Sequence, residues 1–293
     1  MVRTFINWRM APLNGVMVLG LLLASGLAQA ELRIFACEPE WAALARELVP
    51  DATIDVATSH VQDPHYVQAR PSLIAKMRQA DLVICSGAEL EIGWLPALLQ
   101  KANNAAVMDP QRGLFYAAEQ VERLDVQAHS DRSQGDVHAA GNPHVHLSPE
   151  HILTIANALA PRLQLLQPQQ AKVIGERHQA FANRWQQAQS QWQQQAQALR
   201  GLPLVAYHSS YRYLFDWLGL VQVGDLEPKP GMAPTPGHLQ RLLDGLRAKP
   251  PAAVVVASYQ DPRPGRWLSK QLGPQVPLLV LPATVPEQAD AQA

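Results

Sequence analysis

Short apolar runs alternate with segments of helical periodicity between residues 31 and 110. The runs have the length and the β-branched content of strands, and the segments between them repeat apolar residues every three or four positions. The predicted strands are "LRIFAC", "ATIDVAT", "DLVICSG" and "AAVMDP", and the predicted helices are "PEWAALARELV", "PSLIAKMRQA" and "EIGWLPALLQKA". Strand–helix alternation at this spacing needs crossover connections and therefore predicts a parallel sheet.

The same alternation resumes after residue 200. The predicted strands there are "PLVAYH", "LVQVG", "AAVVVAS" and "VPLLVLP", and the helical segments between them are "SSYRYLFDWLG", "PGHLQRLLDGLRA" and "GRWLSKQLG". We therefore expect a second parallel sheet, covered by its own helices, in a second lobe of the molecule.

A long periodic segment separates these two regions. One apolar stripe follows it at alternating steps of four and three residues, and the opposite face is largely glutamine. The stripe consists of Ile174, His178, Phe181, Trp185, Ala188, Trp192, Ala196 and Leu199. A helix from Gln169 to Leu199 would be roughly 46 Å long, which exceeds one small domain. The predicted fold class is α/β, with two parallel-sheet lobes joined by one long rigid helix.

The first 30 residues have the pattern of a secretory signal peptide. Arg3 and Arg9 provide a positive start, "GVMVLGLLLASG" is a short apolar run, and Ala28-Gln29-Ala30 is a small-residue cleavage site. An uncleaved anchor is the alternative, but the run is short for a bilayer span. The expected organisation is a signal peptide over 1–30, a first lobe over 31–150, connecting helices over 151–200 and a second lobe over 201–293.

Charge and composition exclude some classes of partner. The 293 residues carry a formal net charge of −1, and removal of the two arginines in the signal shifts it to about −3. This near-neutral balance offers no electrostatic attraction for nucleic acid. No later apolar run reaches the length of a membrane span. We expect a soluble, monomeric protein in the periplasm or another extracytoplasmic compartment.

Two cysteines, Cys37 and Cys85, each stand at the end of a predicted strand. An exported protein can form a disulfide between them if the two strands are neighbours. A pair of buried free thiols is the alternative interpretation, and metal binding by the thiols is a more distant one.

Three of the ten histidines stand at strand ends or helix starts, where ligands collect in open parallel sheets. His65 follows "ATIDVAT", His208 ends "PLVAYH", and His144 precedes the helix that starts in "SPEHIL". The turns Asp63-Pro64-His65 and Asn142-Pro143-His144 resemble each other, and proline fixes φ so that such a turn can aim a ring. One such histidine is more often a solvated loop residue, but three together favour a metal site of three imidazoles.

Other residues could complete or support this site. Asp261 in "SYQDPRP" follows another strand and is the candidate fourth ligand, with an ordinary Asp-Pro turn as the alternative. Glu89 and Glu91 are further candidates, and a water could equally take the fourth position. His60 and Glu91 could also contact the ligands without binding the ion themselves.

The remaining histidines have simpler interpretations. His178 lies on the apolar stripe and is expected to pack there, whereas His151 and His238 are expected on helix surfaces. The polar segment over 116–148 could collect metal weakly or form a solvated loop. Its other histidines are His129, His138 and His146.

These motifs resemble the zinc-type branch of the cluster A-I metal-binding solute receptors of ABC transporters. The resemblance covers nearly the whole chain after residue 30. It rests on "QDPHYVQARPS", "ADLVICSGAELEIGW", "GDVHAAGNPHVHLSP", "AYHSSYRYLFDWLGL", "LEPKPGMAPTPGHL" and "YQDPRPGRWL". It implies two α/β lobes joined by one long helix, a metal in the cleft between them, and a membrane permease as partner.

The resemblance also carries over the ligand positions, which fall on His65, His144 and His208. Manganese-type members of the family usually have a carboxylate at the third position and an Asp after the last strand. Here the third position is His208, and Pro282 stands where that Asp would be. Both differences favour Zn²⁺ over Mn²⁺ as the transported ligand. Family members usually continue past the last strand with a glycine pair and a helix, so "TVPEQADAQA" predicts an exposed face on the second sheet.

Two other functions fit a three-histidine site. An exported zinc hydrolase would use an open fourth position for water, and an adhesin or structural protein would only hold the metal. The sequence contains neither an H-E-x-x-H motif nor a G-x-S-x-G nucleophile elbow. We therefore expect a zinc receptor and not an enzyme.

Overall fold

The first half of the chain forms a parallel sheet of four strands. The computed structural model describes Met1, residues 31–127 and residues 138–286. The strands are β1 (Arg33–Ala36), β2 (Thr53–Val56), β3 (Leu82–Cys85) and β4 (Leu114–Tyr116). Their order in the sheet is β2-β1-β3-β4, and all neighbours are parallel. The predicted signal peptide, apart from Met1, and His129 lie outside the described residues.

The last strand of this sheet is not where the sequence pattern placed it. The prediction of a strand in "AAVMDP" was wrong, because residues 105–108 form a turn and the strand begins at Leu114. The backbone oxygen of Asp109 accepts from the N–H of Gly113 at 2.7 Å, and its side chain accepts from the N–H of Gln111. An Asp-Pro pair favours a turn of this kind over an extended strand.

Helices cover both faces of the first sheet. Successive side chains of a strand point to opposite faces, so Ile34 and Ala36 face one hydrophobic cluster while Phe35 and Cys37 face another. The covering helices are α1 (Pro39–Leu48), α2 (Pro71–Gln79), α3 (Leu95–Ala102), α4 (Pro149–Leu166) and α5 (Ala171–Gln195). Residues of α1, α4 and α5 belong to the first cluster, and residues of α2 and α3 belong to the second.

The second half of the chain repeats this layered arrangement. Its strands are β5 (Pro203–Ala206), β6 (Val221–Asp225), β7 (Ala253–Ala257) and β8 (Leu278–Leu281), and its helices are α6 (Arg212–Leu218), α7 (Pro236–Leu246) and α8 (Arg263–Leu272). The four strands form a parallel sheet in the order β6-β5-β7-β8. Val205 and Val254 pack toward α7 and α8, whereas Leu204 and Val255 pack toward Phe215 of α6. On the edge strand β8, Leu279 and Val280 are 40% and 50% exposed.

The connecting helix α5 runs without a break for 25 residues and is flanked by 3-10 turns at Pro168–Gln170 and Ala196–Leu199. Ile174 and Phe181 of its apolar stripe are buried, but Trp192 is 38% exposed and Leu199 is 39% exposed. The stripe therefore packs on the first lobe over its N-terminal half and leaves its C-terminal half facing solvent. The fold class predicted from the sequence is confirmed: two α/β lobes and one long helix.

A disulfide joins Cys37 and Cys85, with their Cα atoms 4.8 Å apart. The two residues lie at the carboxyl ends of β1 and β3, which are adjacent strands of the first sheet. Among the described residues, no helix has both the length and the apolar character needed to cross a membrane.

Candidate metal site

Three imidazoles from distant parts of the chain meet in the cleft between the lobes. His65 follows β2, His144 precedes α4, and His208 follows β5. The ring centroids of His65 and His144 lie 5.7 Å apart, and each lies 5.9 Å from that of His208. One ligand atom from each ring lies within 4.8 Å of the other two. Two rings therefore come from the first lobe and one from the second.

The two Pro-His turns use the same local geometry. The side-chain oxygen of Asp63 accepts a hydrogen bond from the backbone N–H of His65 at 3.0 Å. The side-chain oxygen of Asn142 accepts from the backbone N–H of His144, also at 3.0 Å. Asp and Asn favour such turns because their short side chains reach the backbone two residues further on. An Asx turn that contains proline thus places each of these histidines.

Carboxylates hold two of the three rings. Oδ1 of Asp63 lies 2.7 Å from Nδ1 of His65, and Oε2 of Glu227 lies 2.8 Å from Nδ1 of His208. When Nδ1 donates to a carboxylate, Nε2 of the neutral ring keeps its lone pair and can bind a cation. Burial is the largest influence on the pKa of Asp63 and would raise it, but the hydrogen bonds from His65 and the electrostatic attraction of His65 and His208 together lower that pKa.

His144 has a different environment. It is 4% exposed, and its Nε2 is buried without a hydrogen-bond partner among the described residues. Burial lowers the pKa of His144 well below its ordinary value, and the neighbouring imidazoles lower it further. The ring is therefore neutral, with an unpaired nitrogen near His65 and His208. A bound cation would satisfy that nitrogen.

A fourth imidazole lies beside the cluster. Nε2 of His138 is 3.2 Å from Nε2 of His65, and the two rings stack with their centroids 5.3 Å apart. The sequence pattern assigned His138 only to a polar segment, with a weak collecting patch or a solvated loop as its role. The structure places it next to a candidate ligand.

Asp261 does not join the three imidazoles. Its carboxylate accepts from Nε of Arg263 at 2.8 and 2.9 Å, and it also pairs with the guanidinium NH2 of that arginine at 2.6 Å. Its candidacy as fourth ligand has to be corrected, because the Asp-Pro turn directs the carboxylate to Arg263. The geometry is that of an ordinary Asp-Pro turn, which was the alternative interpretation of Asp261 from the sequence.

Glu91 and His60 also differ from their predicted places. Glu91 is buried beside Cys37 and Cys85, where it accepts from the backbone N–H of Ser86 at 2.7 Å. The backbone oxygen of His60 accepts from Ser258, and its Nδ1 is buried with no hydrogen-bond partner in the described chain. Within the described residues, neither side chain is hydrogen-bonded to the three imidazoles, and the supporting role of both stays a prediction. Glu89 accepts from the N–H of Ala140 at 3.4 Å.

A cavity of about 240 Å³ adjoins the imidazoles and gives an ion room to enter. Two of the three candidate ligands, His65 and His208, line this cavity. Its walls also include the carboxylates that contact their rings, together with two tyrosines: Asp63, Glu227, Tyr207 and Tyr259. Sequence reasoning missed Glu227. A signal for it was present, because Glu227 follows β6 at the same carboxyl edge of the sheet as His208.

Fold and site together define the class of the protein, which is that of the metal-binding substrate-binding proteins of ABC transporters. The chain belongs to the family described as zinc-uptake complex component A periplasmic (ZnuA), whose family model matches residues 34–292. Because this family consists of substrate-binding receptors and not of enzymes, membership in it argues against the alternative of a zinc hydrolase.

The names of the curated relatives specify different metals. The manganese ABC transporter substrate-binding lipoprotein PsaA of Streptococcus pneumoniae is 25% identical over 217 residues, covering 71% of this chain and 66% of that protein. The iron ABC transporter substrate-binding lipoprotein MtsA of Streptococcus pyogenes serotype M1 is 21% identical over 217 residues, covering 72% and 67%. The chain thus spans about two thirds of the length of these relatives.

Solved structures show the same fold. The crystal structure of ZnuA is matched with a TM-score of 0.74 at 20% identity, over 87% of this chain and 92% of that chain. FpvC from Pseudomonas aeruginosa in complex with Mn²⁺ is matched with a TM-score of 0.71 at 20% identity, over 89% and 92%.

Proposed function

We propose that this protein is an extracytoplasmic receptor that binds Zn²⁺ through His65, His144 and His208 and delivers it to the membrane permease of an ABC importer. The observation that carries the proposal is the cluster of three imidazoles with ligand atoms within 4.8 Å of one another. Two of the rings have their Nδ1 atoms engaged by carboxylates, and the third has a buried nitrogen without a partner. This arrangement is a preformed set of three imidazole nitrogen ligands.

The donor set favours zinc over the metals named for some relatives. Imidazole nitrogen suits Zn²⁺, with bonds of about 2.0–2.1 Å, whereas oxygen-rich sites suit Mn²⁺. The carboxylates of Asp63 and Glu227 lie on the far sides of the rings, on Nδ1, and increase the basicity of Nε2. His138 or a water takes the fourth position of the tetrahedron, and His138 is the nearer protein candidate because it already contacts His65.

Binding joins the two lobes, because His208 follows β5 of the second lobe while the other two ligands belong to the first. Residues 1–30 act as a signal peptide and direct export of the receptor to the periplasm. The first lobe extends over 31–150, the connecting helices over 151–200 and the second lobe over 201–293. The mature protein acts as a monomer, and its partner is the permease.

Zinc titration of the mature protein tests this function. We expect one high-affinity Zn²⁺ per chain, with weaker binding of Mn²⁺. His65→Ala, His144→Ala and His208→Ala should each weaken zinc binding by about a hundredfold or more, which corresponds to about 2.8 kcal/mol. His178→Ala is the matched control, since that ring lies on the long helix α5 and is hydrogen-bonded to Asn157 of α4. Near-native zinc affinity in all three cleft variants would overturn the proposal.

A further inference from the structure

A second set of metal-ligating side chains lies inside the first lobe. The sulfur atoms of Cys37 and Cys85 and a carboxylate oxygen of Glu91 all lie within 4.8 Å of one another. All three residues are buried. Because the two sulfurs form a disulfide, they are not available as ligands in the oxidised chain.

The position of Glu91 does not depend on the cysteines. The backbone at Gly87, Ala88 and Glu89 takes three successive left-handed conformations, with φ of 76°, 47° and 69°. This loop folds back so that the Glu91 carboxylate accepts from the N–H of Gly87 at 3.1 and 3.2 Å as well as from Ser86. Three backbone hydrogen bonds therefore hold the carboxylate beside the sulfurs. Each carboxylate oxygen has further lone pairs for a cation.

A second buried carboxylate lies beside Glu91 and shares the N–H of Ser86 with it. Glu38, adjacent to Cys37, is 2% exposed. Its Oε2 accepts from the N–H and hydroxyl of Ser86 at 3.2 Å, but its Oε1 is buried with no hydrogen-bond partner among the described residues. Glu38 also lines a small cavity that His144 lines from another side.

We propose that Cys37, Cys85 and Glu91 form a second metal site for Zn²⁺ or a softer divalent cation when the disulfide is reduced. A dithiol reductant supplies two electrons and two protons, which convert the disulfide into two thiols while the reductant becomes a disulfide. When the metal binds, each thiol releases its proton to solvent and its sulfur forms a bond to the cation. The two thiolates neutralise the charge of the ion, and Glu91 adds an oxygen ligand.

The disulfide then has a function in metal transport besides its effect on stability. A receptor has to release its cargo, and thiolates retain Zn²⁺ and softer cations strongly. Oxidation of Cys37 and Cys85 removes both thiolates, so that the cargo is held by the imidazoles alone. The second ligand set shares no residue with the imidazole cluster, whereas the role given to its oxidation in transport rests on the proposed function.

Cadmium binding to a variant without the three cleft histidines tests the proposal. The full mature chain with His65→Ala, His144→Ala and His208→Ala is reduced with a dithiol, and the reductant is removed under argon. We expect one Cd²⁺ per reduced chain and a thiolate-to-cadmium charge-transfer band, and neither in the oxidised chain. Adding Cys37→Ser and Cys85→Ser should abolish the band. Adding Glu91→Gln should weaken cadmium binding about tenfold or more, and Glu119→Gln, an exposed residue of the same lobe, should leave it unchanged.

Two results would overturn the proposal. One is a reduced chain that binds no cadmium and shows no charge-transfer band, whether or not circular dichroism shows that it remains folded. The other is a cadmium affinity that Glu91→Gln does not weaken, because two cysteines in a loosened chain would bind cadmium without the built site. A failure of either kind would leave the zinc titration of the cleft unaffected, so the two proposals are separable.

Discussion

At the scale of single residues, the cleft depends on side chains that orient the ligands. Asp63 and Glu227 hold the rings of His65 and His208 through Nδ1, and Asn142 holds the backbone of His144. Glu227 also accepts from the N–H of Gly231 at 3.0 Å, which fixes the loop after β6. Glu227 is therefore a positioning residue in the second lobe, as Asp63 is in the first.

Glu227→Gln should weaken zinc binding by about ten- to hundredfold, because the loss of a carboxylate on the far side of a ligand ring reduces the basicity of Nε2. Competition with a chelator of known affinity measures the change. Glu47→Gln is the control, since Glu47 pairs with Arg184 on the outside of the first lobe. Equal zinc affinity of Glu227→Gln and the unchanged protein would refute the positioning role.

Glu91 makes stability depend on pH. Burial raises the pKa of Glu91 to about 7, despite hydrogen bonds from backbone N–H groups that lower it. Since the folded-state pKa lies above that of the unfolded chain, the stabilising contribution is complete below about pH 4.5 and is lost as pH rises through about 7. This pKa shift corresponds to up to roughly 3 kcal/mol of unfolding free energy. Glu91 shares this contribution with Glu38, because the two carboxyl groups interact with each other.

We therefore expect Glu91→Gln to flatten the decline of unfolding free energy between about pH 5 and pH 8. Urea unfolding at both pH values measures this, with Glu119→Gln as the exposed control. A variant that declines as steeply as the unchanged protein would show that Glu91 does not titrate in this interval.

At the scale of elements, α5 limits how the lobes can move. Its 25 residues span roughly 37 Å. Nε1 of Trp185 donates to the backbone oxygen of Pro149 at 2.7 Å, and Arg184 contacts Glu47 of α1 at 2.6 Å. These contacts attach the helix to the first lobe, so that a bend inside it would break packing as well as backbone hydrogen bonds.

Zinc binding should consequently change the overall dimensions little compared with a receptor hinged by two flexible strands. Small-angle X-ray scattering of the metal-free and zinc-loaded forms measures the radius of gyration. We expect the two radii to agree within error. A large decrease on adding zinc to the unchanged protein, absent in the triple histidine-to-alanine variant, would contradict a rigid connecting helix.

At the scale of the whole molecule, polar contacts tie the lobes together around the cleft. Tyr213 of α6 reaches into the core of the first lobe, where its hydroxyl donates to the backbone oxygen of Asn142 at 2.8 Å and accepts from the N–H of Leu124 at 3.1 Å. The side chain of Asn142 donates to the backbone oxygen of Ser209 at 3.0 Å. The turn that carries His144 is therefore held from both sides.

Tyr213→Phe should lower the free energy of unfolding by about 1–3 kcal/mol, because it leaves a buried backbone group without its partner. It should also weaken zinc binding, since the Asn142 turn loses its support. Urea unfolding and zinc titration measure the two effects, and Tyr66→Phe is the control for unfolding alone because Tyr66 is exposed. Unchanged values for both quantities in Tyr213→Phe would show that this contact does not couple the lobes.

The sequence by itself determined the two α/β lobes, the long helix and three candidate histidines, because strand and helix periodicities and the Asx-Pro turns are local properties. The resemblance to a receptor family pointed to the same histidines. Only the tertiary structure decided which groups surround them. Glu227, His138 and the Asn142–Tyr213 contact depend on how distant segments pack. Asp261 was misplaced because a neighbouring arginine, and not its strand-end position, determined where its carboxylate lies.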